Sequence, residues 1–202
     1  MINRKRNFIA LLLFFSFLLI SGGSTIAQHT YIFNRLNVKD GLSQSSVLDI
    51  AKDGQGLMWF ATRYGLNRYD GVRFKVYENN PSDTNSINHH YINRVFTDAA
   101  GQLWIGTQKG LDAYDQTLGR FQHFKFYKQD TALVSVSVLK IIEDRSGNLW
   151  LGTNKGLFIK RHGATICRSV NGLPKRLQDE AIIEIFEDSE RHFGISLAKG
   201  LP

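Results

Sequence analysis

The chain has 202 residues, 43% hydrophobic and 12% aromatic, a composition that excludes disorder and supplies ample material for a packed core. Its formal charge of +7 falls to a mild excess once the N-terminal cluster is set aside. Arg4, Lys5 and Arg6 stand near the N-terminus and no acid precedes Asp40, so the rest carries 22 basic against 18 acidic side chains, with no long basic run to suit direct nucleic-acid contact.

Arg4-Lys5-Arg6 reads as a positive n-region, Phe8 to Ile20 as an apolar h-region, and Thr25-Ile26-Ala27 as a small-x-small cleavage site. Residues 1–27 are therefore expected to be a signal peptide, with the remainder delivered to the periplasm. The apolar run of 13 residues is shorter than the ~20 that cross a bilayer as a helix. Membrane association is expected only through an uncleaved leader or a helix further downstream. Cys167 is the single cysteine, so no intramolecular disulfide can form and the fold must rest on packing.

Four segments then align without a gap: DGQGLMWFATRYGL from Asp53, DAAGQLWIGTQKGL from Asp98, DRSGNLWLGTNKGL from Asp144 and DSERHFGISLAKGL from Asp188, spaced by 45, 46 and 44 residues. An apolar stretch precedes each: Val47-x-x-Ile50, Ile92-x-x-Val95, Val138-x-x-Ile141 and Ile182-x-x-Ile185. Alternation and turn chemistry predict four strands per unit. Strand A covers 47–51, 92–96, 137–142 and 181–186; strand B surrounds the Trp, and strand C follows the Gly-Leu step. Strand D is Phe74 to Tyr77, Phe121 to Phe126 and Ile166 to Val170. Four antiparallel strands in about 45 residues is the size of one propeller blade. The fold class is thus all-β, a partial β-propeller spanning 28–202 with units of 47–91, 92–137, 138–181 and 182–202, about three and a half blades. Tyr31 to Val38 reads as an orphan strand D.

The landmark residues have structural explanations. Asp53, Asp98 and Asp144 can hydrogen-bond back into the turn after strand A, and Gly65, Gly110 and Gly156 suit a B–C step requiring positive φ. Trp59, Trp104 and Trp150 offer faces for packing on the next blade, each with an indole N–H that wants an acceptor. The fourth unit departs, with Gly194 at the Trp position.

SGNLWLGTNKGL and AGQLWIGTQKGL, preceded by IIED and VFTD, resemble the two-component regulator propeller repeat. The stretch Phe33 to Tyr77 resembles the start of the periplasmic sensor region of a hybrid two-component histidine kinase. The resemblance implies a seven-bladed parent propeller, followed in full-length relatives by an immunoglobulin-like domain, a transmembrane helix in the inner membrane and a kinase. It also implies dimerisation through those later regions and a polysaccharide or oligosaccharide as the signal. The sequence carries no kinase His box, nucleotide-binding Gly motif or receiver Asp site, so the chain itself is expected to be non-catalytic and free of cofactors and metals. A truncated gene product is the expectation for its length.

Antiparallel order places the D–A connections and B–C turns on one face. There Arg63, Tyr64, Gln108, Lys109, Asn154 and Lys155 supply cations, amides and an exposed aromatic suited to a glycan. The polar connections Asn79 to Asn85, Lys128 to Thr131 and Asn171 to Glu180 are expected as loops beside them. His89 and His90, adjacent on extended chain, should point to opposite sides and so fail as a metal pair. A propeller enzyme of streptogramin-lyase type is the competing reading. It would need a histidine with a partner, and His89, His90 and His123 have no evident one.

Overall fold

The computed structural model describes residues 33–190 and 192–198. The expected signal peptide of residues 1–27 and the chain from 199 to 202, with Gly200, lie outside the described residues. The chain divides into two units, Met1–Arg35 and Leu36–Pro202, and the second holds every described strand.

The first blade is β1 (Val47–Lys52), β2 (Met58–Thr62), β3 (Gly65–Tyr69) and β4 (Phe74–Tyr77), each antiparallel to the next. The second is β5 (Ile92–Thr97), β6 (Leu103–Thr107), β7 (Leu111–Asp115) and β8 (Arg120–Lys128). A short β9 (Thr131–Leu133) leads to the third, β10 (Val138–Glu143), β11 (Leu149–Thr153), β12 (Gly156–Lys160) and β13 (Ile166–Ser169). Helix α1 (Lys175–Asp179) precedes the antiparallel pair β14 (Ile182–Glu187) and β15 (Phe193–Leu197). Strand β1 lies beside β5, β5 beside β10 and β10 beside β14, so the first strands gather innermost and the sheets fan outward as propeller blades.

The core sits between blades rather than inside one. Trp59, Leu66 and Tyr77 of the first blade bury against Ile92, Leu103, Ile105 and Tyr114 of the second. Trp104, Leu111 and Phe124 meet Val138, Leu151 and Phe158 of the third. Leu157 meets Ile182 and Ile185 of the fourth. Both faces of an inner blade are thus covered, which is why its central strands read as near-continuous apolar runs. Close approach also needs small residues: a Cβ on Gly152 would stand 2.7 Å from the Ile182 carbonyl oxygen of the next blade. The same break in register recurs in all four A–B pairings, ahead of Asp49, Arg94, Lys140 and Glu184.

Several expectations are corrected. Residues 33–37 form no strand, and Val38–Asp40 is a 3-10 turn. The Asn37 side chain accepts from Lys39 N at 2.8 Å and Asp40 Oδ2 accepts from Asn37 N at 2.8 Å, a reciprocal cap that turns the chain instead of extending it. Strand D of the second unit runs on to Lys128. Phe121 faces the first interface whereas Phe124 and Phe126, an odd number of residues away, face the second. The far half, Lys125–Tyr127, pairs in parallel with Ile166–Arg168, and Phe126–Lys128 pairs with β9. Blades two and three are thereby one continuous nine-stranded sheet. The connection expected as a loop at Lys128 to Thr131 is a hairpin turn, and that at Asn171 to Glu180 contains α1 behind Pro174, whose fixed φ suits a helix start.

Candidate functional site

Each A–B turn is organised by its Asp. Oδ1 of Asp53 accepts from the backbone N–H of Gln55 and Leu57, both at 2.9 Å, while Oδ2 accepts the Trp59 indole N–H at 2.7 Å. Asp98 repeats this with Ala100, Gln102 and Trp104, and Asp144 with Ser146, Asn148 and Trp150. Burial works against the Asp144 carboxylate, yet the Asn148, Trp150 and backbone hydrogen bonds hold it below its usual range. In the fourth unit Asp188 Oδ1 holds Glu190 and His192 N–H groups, and the Phe186 ring covers Gly194 where the other units place Trp. These carboxylates are engaged in holding turns and indoles, leaving them no role as reacting groups.

The B–C turns depend on a residue type that sequence reasoning passed over. Thr62, Thr107 and Thr153 are fully buried. The hydroxyls of Thr62 and Thr153 donate to the carbonyls of Gly65 and Gly156 at 2.9 and 2.7 Å, that of Thr107 donates to Asn88 Oδ1 at 2.6 Å, and the three accept from Tyr64, Lys109 and Lys155 N–H groups at 3.1, 3.0 and 3.0 Å. The Thr in each W-x-x-T run was the available signal. Gly65 and Gly156 do adopt positive φ, of 117° and 97°, but Gly110 does not. Its turn closes differently, with Gly110 N donating to Thr107 Oγ1 at 3.0 Å and its carbonyl accepting Thr107 N at 2.8 Å.

Four of the six expected ligand residues are gathered by one connection. Gly65 N donates to His90 O at 2.7 Å and Gln108 N to Tyr91 O at 3.1 Å, so the turns of blades one and two meet at His90-Tyr91. Arg63 lies over the Tyr91 ring, 5.5 Å from its centre, and Tyr64, 62% exposed, stacks on His90 with ring centres 6.4 Å apart. Gln108 and Lys109 are exposed beside them. Asn154 and Lys155 sit on the B–C turn of blade three, where Asn154 Oδ1 accepts from Ser137 N at 2.8 Å and Lys155 is half-buried.

His89 and His90 do not point apart. Their rings stack with centres 4.5 Å apart, because residues 88–91 turn before β5 begins. Burial, with the charges of His90 and Lys109, pushes His89 below the usual imidazole range, so it is neutral at pH 7 and can accept Tyr91 N–H at Nδ1, 3.0 Å away. Arg63 and Lys109 then give the patch a positive field.

The polar connection after β4 is no free loop. Ile87 is fully buried, Asn79 Nδ2 donates to its carbonyl at 2.8 Å, and Asn85 O accepts Phe121 N at 2.9 Å, so residues 79–87 lie folded along β8. In each of the first two blades one buried residue fastens the chain ahead of strand A. Asn67 Oδ1 accepts Ser43 N at 2.8 Å, and Asp112 accepts Asn88 N at 2.8 Å and Asn88 Nδ2 at 2.7 Å.

His123, expected to lack a partner, has Asp112 at 2.8 Å from Nδ1, and its Nε2 lies 3.0 Å from the Thr84 carbonyl. Burial pushes the Asp112 carboxyl up, opposed by His123 and Asn88. The Asp112 hydrogen bond raises His123, working against its desolvation. Both ring nitrogens lie against oxygens of Asp112 and Thr84, so neither is open to act on a substrate as a general base.

The two-component regulator propeller family model matches residues 41–64, 86–109 and 132–155, each match running from the chain ahead of strand A to the B–C turn. A 74-residue stretch is 51% identical to histidine kinase P4 of Formosa agariphila, covering 36% of this chain and 5% of that protein. The fold is similar to the extracellular domain of a protein described as a one-component system of B. thetaiotaomicron, with 23% identity and a TM-score of 0.63 over 82% of this chain and 25% of that one. It is also similar to the extracellular domain of a hybrid two-component system of the same organism, with 24% identity and a TM-score of 0.55 over 85% of this chain and 30% of that one. The chain thus spans a small part of the kinase it matches and less than a third of those two domains. Three repeats, each in register with one blade of the fold, make this chain a member of the two-component regulator propeller family.

Proposed function

We propose that this chain is a non-catalytic, periplasmic sensing segment of a two-component regulator that binds an oligosaccharide and signals through a kinase carried elsewhere in the full-length protein. The seven-bladed parent ring, dimerisation through later regions and inner-membrane placement belong to the same proposal. The observation that carries it is the patch at His90-Tyr91, where two B–C turns present Arg63, Tyr64 and Lys109 on buried Thr anchors. Rigid turns bearing cations, an amide and an open aromatic face suit hydroxyl and acidic groups on a sugar, with Tyr64 as the stacking surface. A lyase is disfavoured because Asp112 and Thr84 already occupy both His123 nitrogens.

The test is a glycan-array screen followed by calorimetry on the full periplasmic region. A ligand is expected whose affinity falls about tenfold or more on Arg63→Ala, Tyr64→Ala or Lys109→Ala, each removing a charged or stacking contact. Unchanged affinity in all three variants would move the site off this face.

A further inference from the structure

The innermost strand of each blade carries a charged residue at its break in register: Asp49, Arg94, Lys140 and Glu184. Asp49 and Lys140 engage the next blade. Asp49 Oδ2 accepts Val95 N–H of blade two at 3.1 Å while its Oδ1 accepts Ile50 N–H at 3.0 Å, and Lys140 forms an ion pair with Glu184 of blade four. Arg94 does neither. Its Nη1 donates to the Asn93 carbonyl at 2.9 Å, and among the described residues no carboxylate lies within ion-pair distance of it. Arg94 and Lys140 line one cavity of about 490 Å³ with Leu48, Asp49, Val95 and Ile141, on the innermost strands β1, β5 and β10. That volume admits a small ligand.

The backbone supplies a further donor. Strands β5 and β10 pair outward in the same register, Arg94 opposite Gly106 and Val95 opposite Ile105, then Lys140 opposite Gly152 and Ile141 opposite Leu151. Bonded and non-bonded residues alternate along an antiparallel pair, and the Val95 N–H goes to Asp49 on the inner side. Ile141, in the same place on β10, turns its N–H inward as well. Val95 meets a carboxylate there because blade one carries Asp49, whereas blade two offers Ile141 the cation Arg94 at that position. Among the described residues no side chain accepts from Ile141 N–H. The two nearby carboxylates are already engaged, Asp49 by Val95 and Ile50 and Glu184 by Lys140, so neither neutralises Arg94.

We infer that this place is a site for a small oxyanion, a carboxylate, phosphate or sulfate group, which takes between blades two and three the position that the Asp49 carboxylate takes between blades one and two. One oxygen accepts Ile141 N–H, as Asp49 Oδ2 accepts Val95 N–H. A second accepts from Arg94, whose planar fork matches two oxygens of one anion and has most of its donors unused. Lys140 adds positive charge beside them. Both cations are half-buried, so salt screens them less than it screens exposed ones. The site shares no residue with the Arg63–Lys109 patch and does not depend on what that patch binds.

The experiment is titration of the full ¹⁵N-labelled chain with phosphate, sulfate and acetate in turn, against chloride at constant ionic strength, following the Ile141 amide and the Arg94 Nε–H resonances. At least one anion is expected to shift both saturably, and the three arms show which oxyanion the site takes. Val95, whose N–H Asp49 already holds, is expected to stay in place. Arg94→Gln should weaken binding about tenfold or more by removing the charge and the fork. Arg94→Asp gives blade two the acid that blade one has, and should fold and bind no anion. The proposal is overturned if none of the three anions moves Ile141, if Val95 shifts as far as Ile141, or if either variant binds as tightly as wild type. Should neither variant fold, the contrast between Ile141 and Val95 in the wild-type chain decides.

Discussion

Asp112, wholly buried, and His123, 2.8 Å away, tie the outer two strands of blade two to the connection arriving from blade one. The ring reaches that connection through the Thr84 carbonyl, and the carboxylate reaches it through Asn88.

Stability should therefore depend on pH through His123. Its folded pKa is raised above 6.5, so the stabilisation is fully present below that value and is lost as pH rises through the folded value. Chemical denaturation of wild type and His123→Gln from about pH 5.5 to about pH 8.5 should show a difference that is largest at the acid end and shrinks toward the basic end. A constant difference would exclude the imidazolium.

The repeated Asp acts as a cap and as an indole acceptor. Asp53→Ala strands two backbone N–H groups and the Trp59 N–H, and should cost about 2–4 kcal/mol in urea unfolding. At Asp144, where the carboxyl is held below 3.8, the stabilisation is present above that value and is lost as pH falls through the lower folded one. Acid titration of Asp144→Asn against wild type would show this loss in wild type only.

The B–C glycines should separate by backbone conformation. Gly156→Ala meets both a φ of 97° and the Gln178 carbonyl of the segment ahead of blade four, and should destabilise by about 2 kcal/mol or more. Gly110→Ala meets only Asn88 Nδ2 at 3.2 Å with no positive φ, and should cost under about 1 kcal/mol. Equal thermal shifts would contradict the two turn conformations.

Cys167 offers a probe of opening. Burial in the core between blades two and three pushes its thiol up to about 12, with Lys160 opposing. Thiol reagents should label it only as that core unfolds, so labelling and far-UV unfolding midpoints in urea should coincide.

The repeat, the all-β class and the division into blades were legible in the amino-acid sequence because every blade must bury both faces, and that demand writes the same apolar spacing four times. So too were the turn role of Asp53 and the need of the Trp59 N–H for an acceptor, whereas their pairing with each other appears only in the structure. The candidate patch at His90-Tyr91 was half legible. Arg63, Tyr64, Gln108 and Lys109 stand out as turn residues, but their convergence depends on hydrogen bonds to His90 and Tyr91 from two different blades. Asn154 and Lys155 occupy the same repeat positions, but the hydrogen bond that holds Asn154 goes to Ser137. Local pattern could not foretell that β8 crosses to the next blade, that residues 79–87 fold along it, or that His123 meets Asp112. Each of these follows from long-range packing, in which chain segments tens of residues apart compete for the same surface. The period of the blade is a local property written along the chain, whereas the contents of its edges and cavities are decided only when neighbouring blades meet.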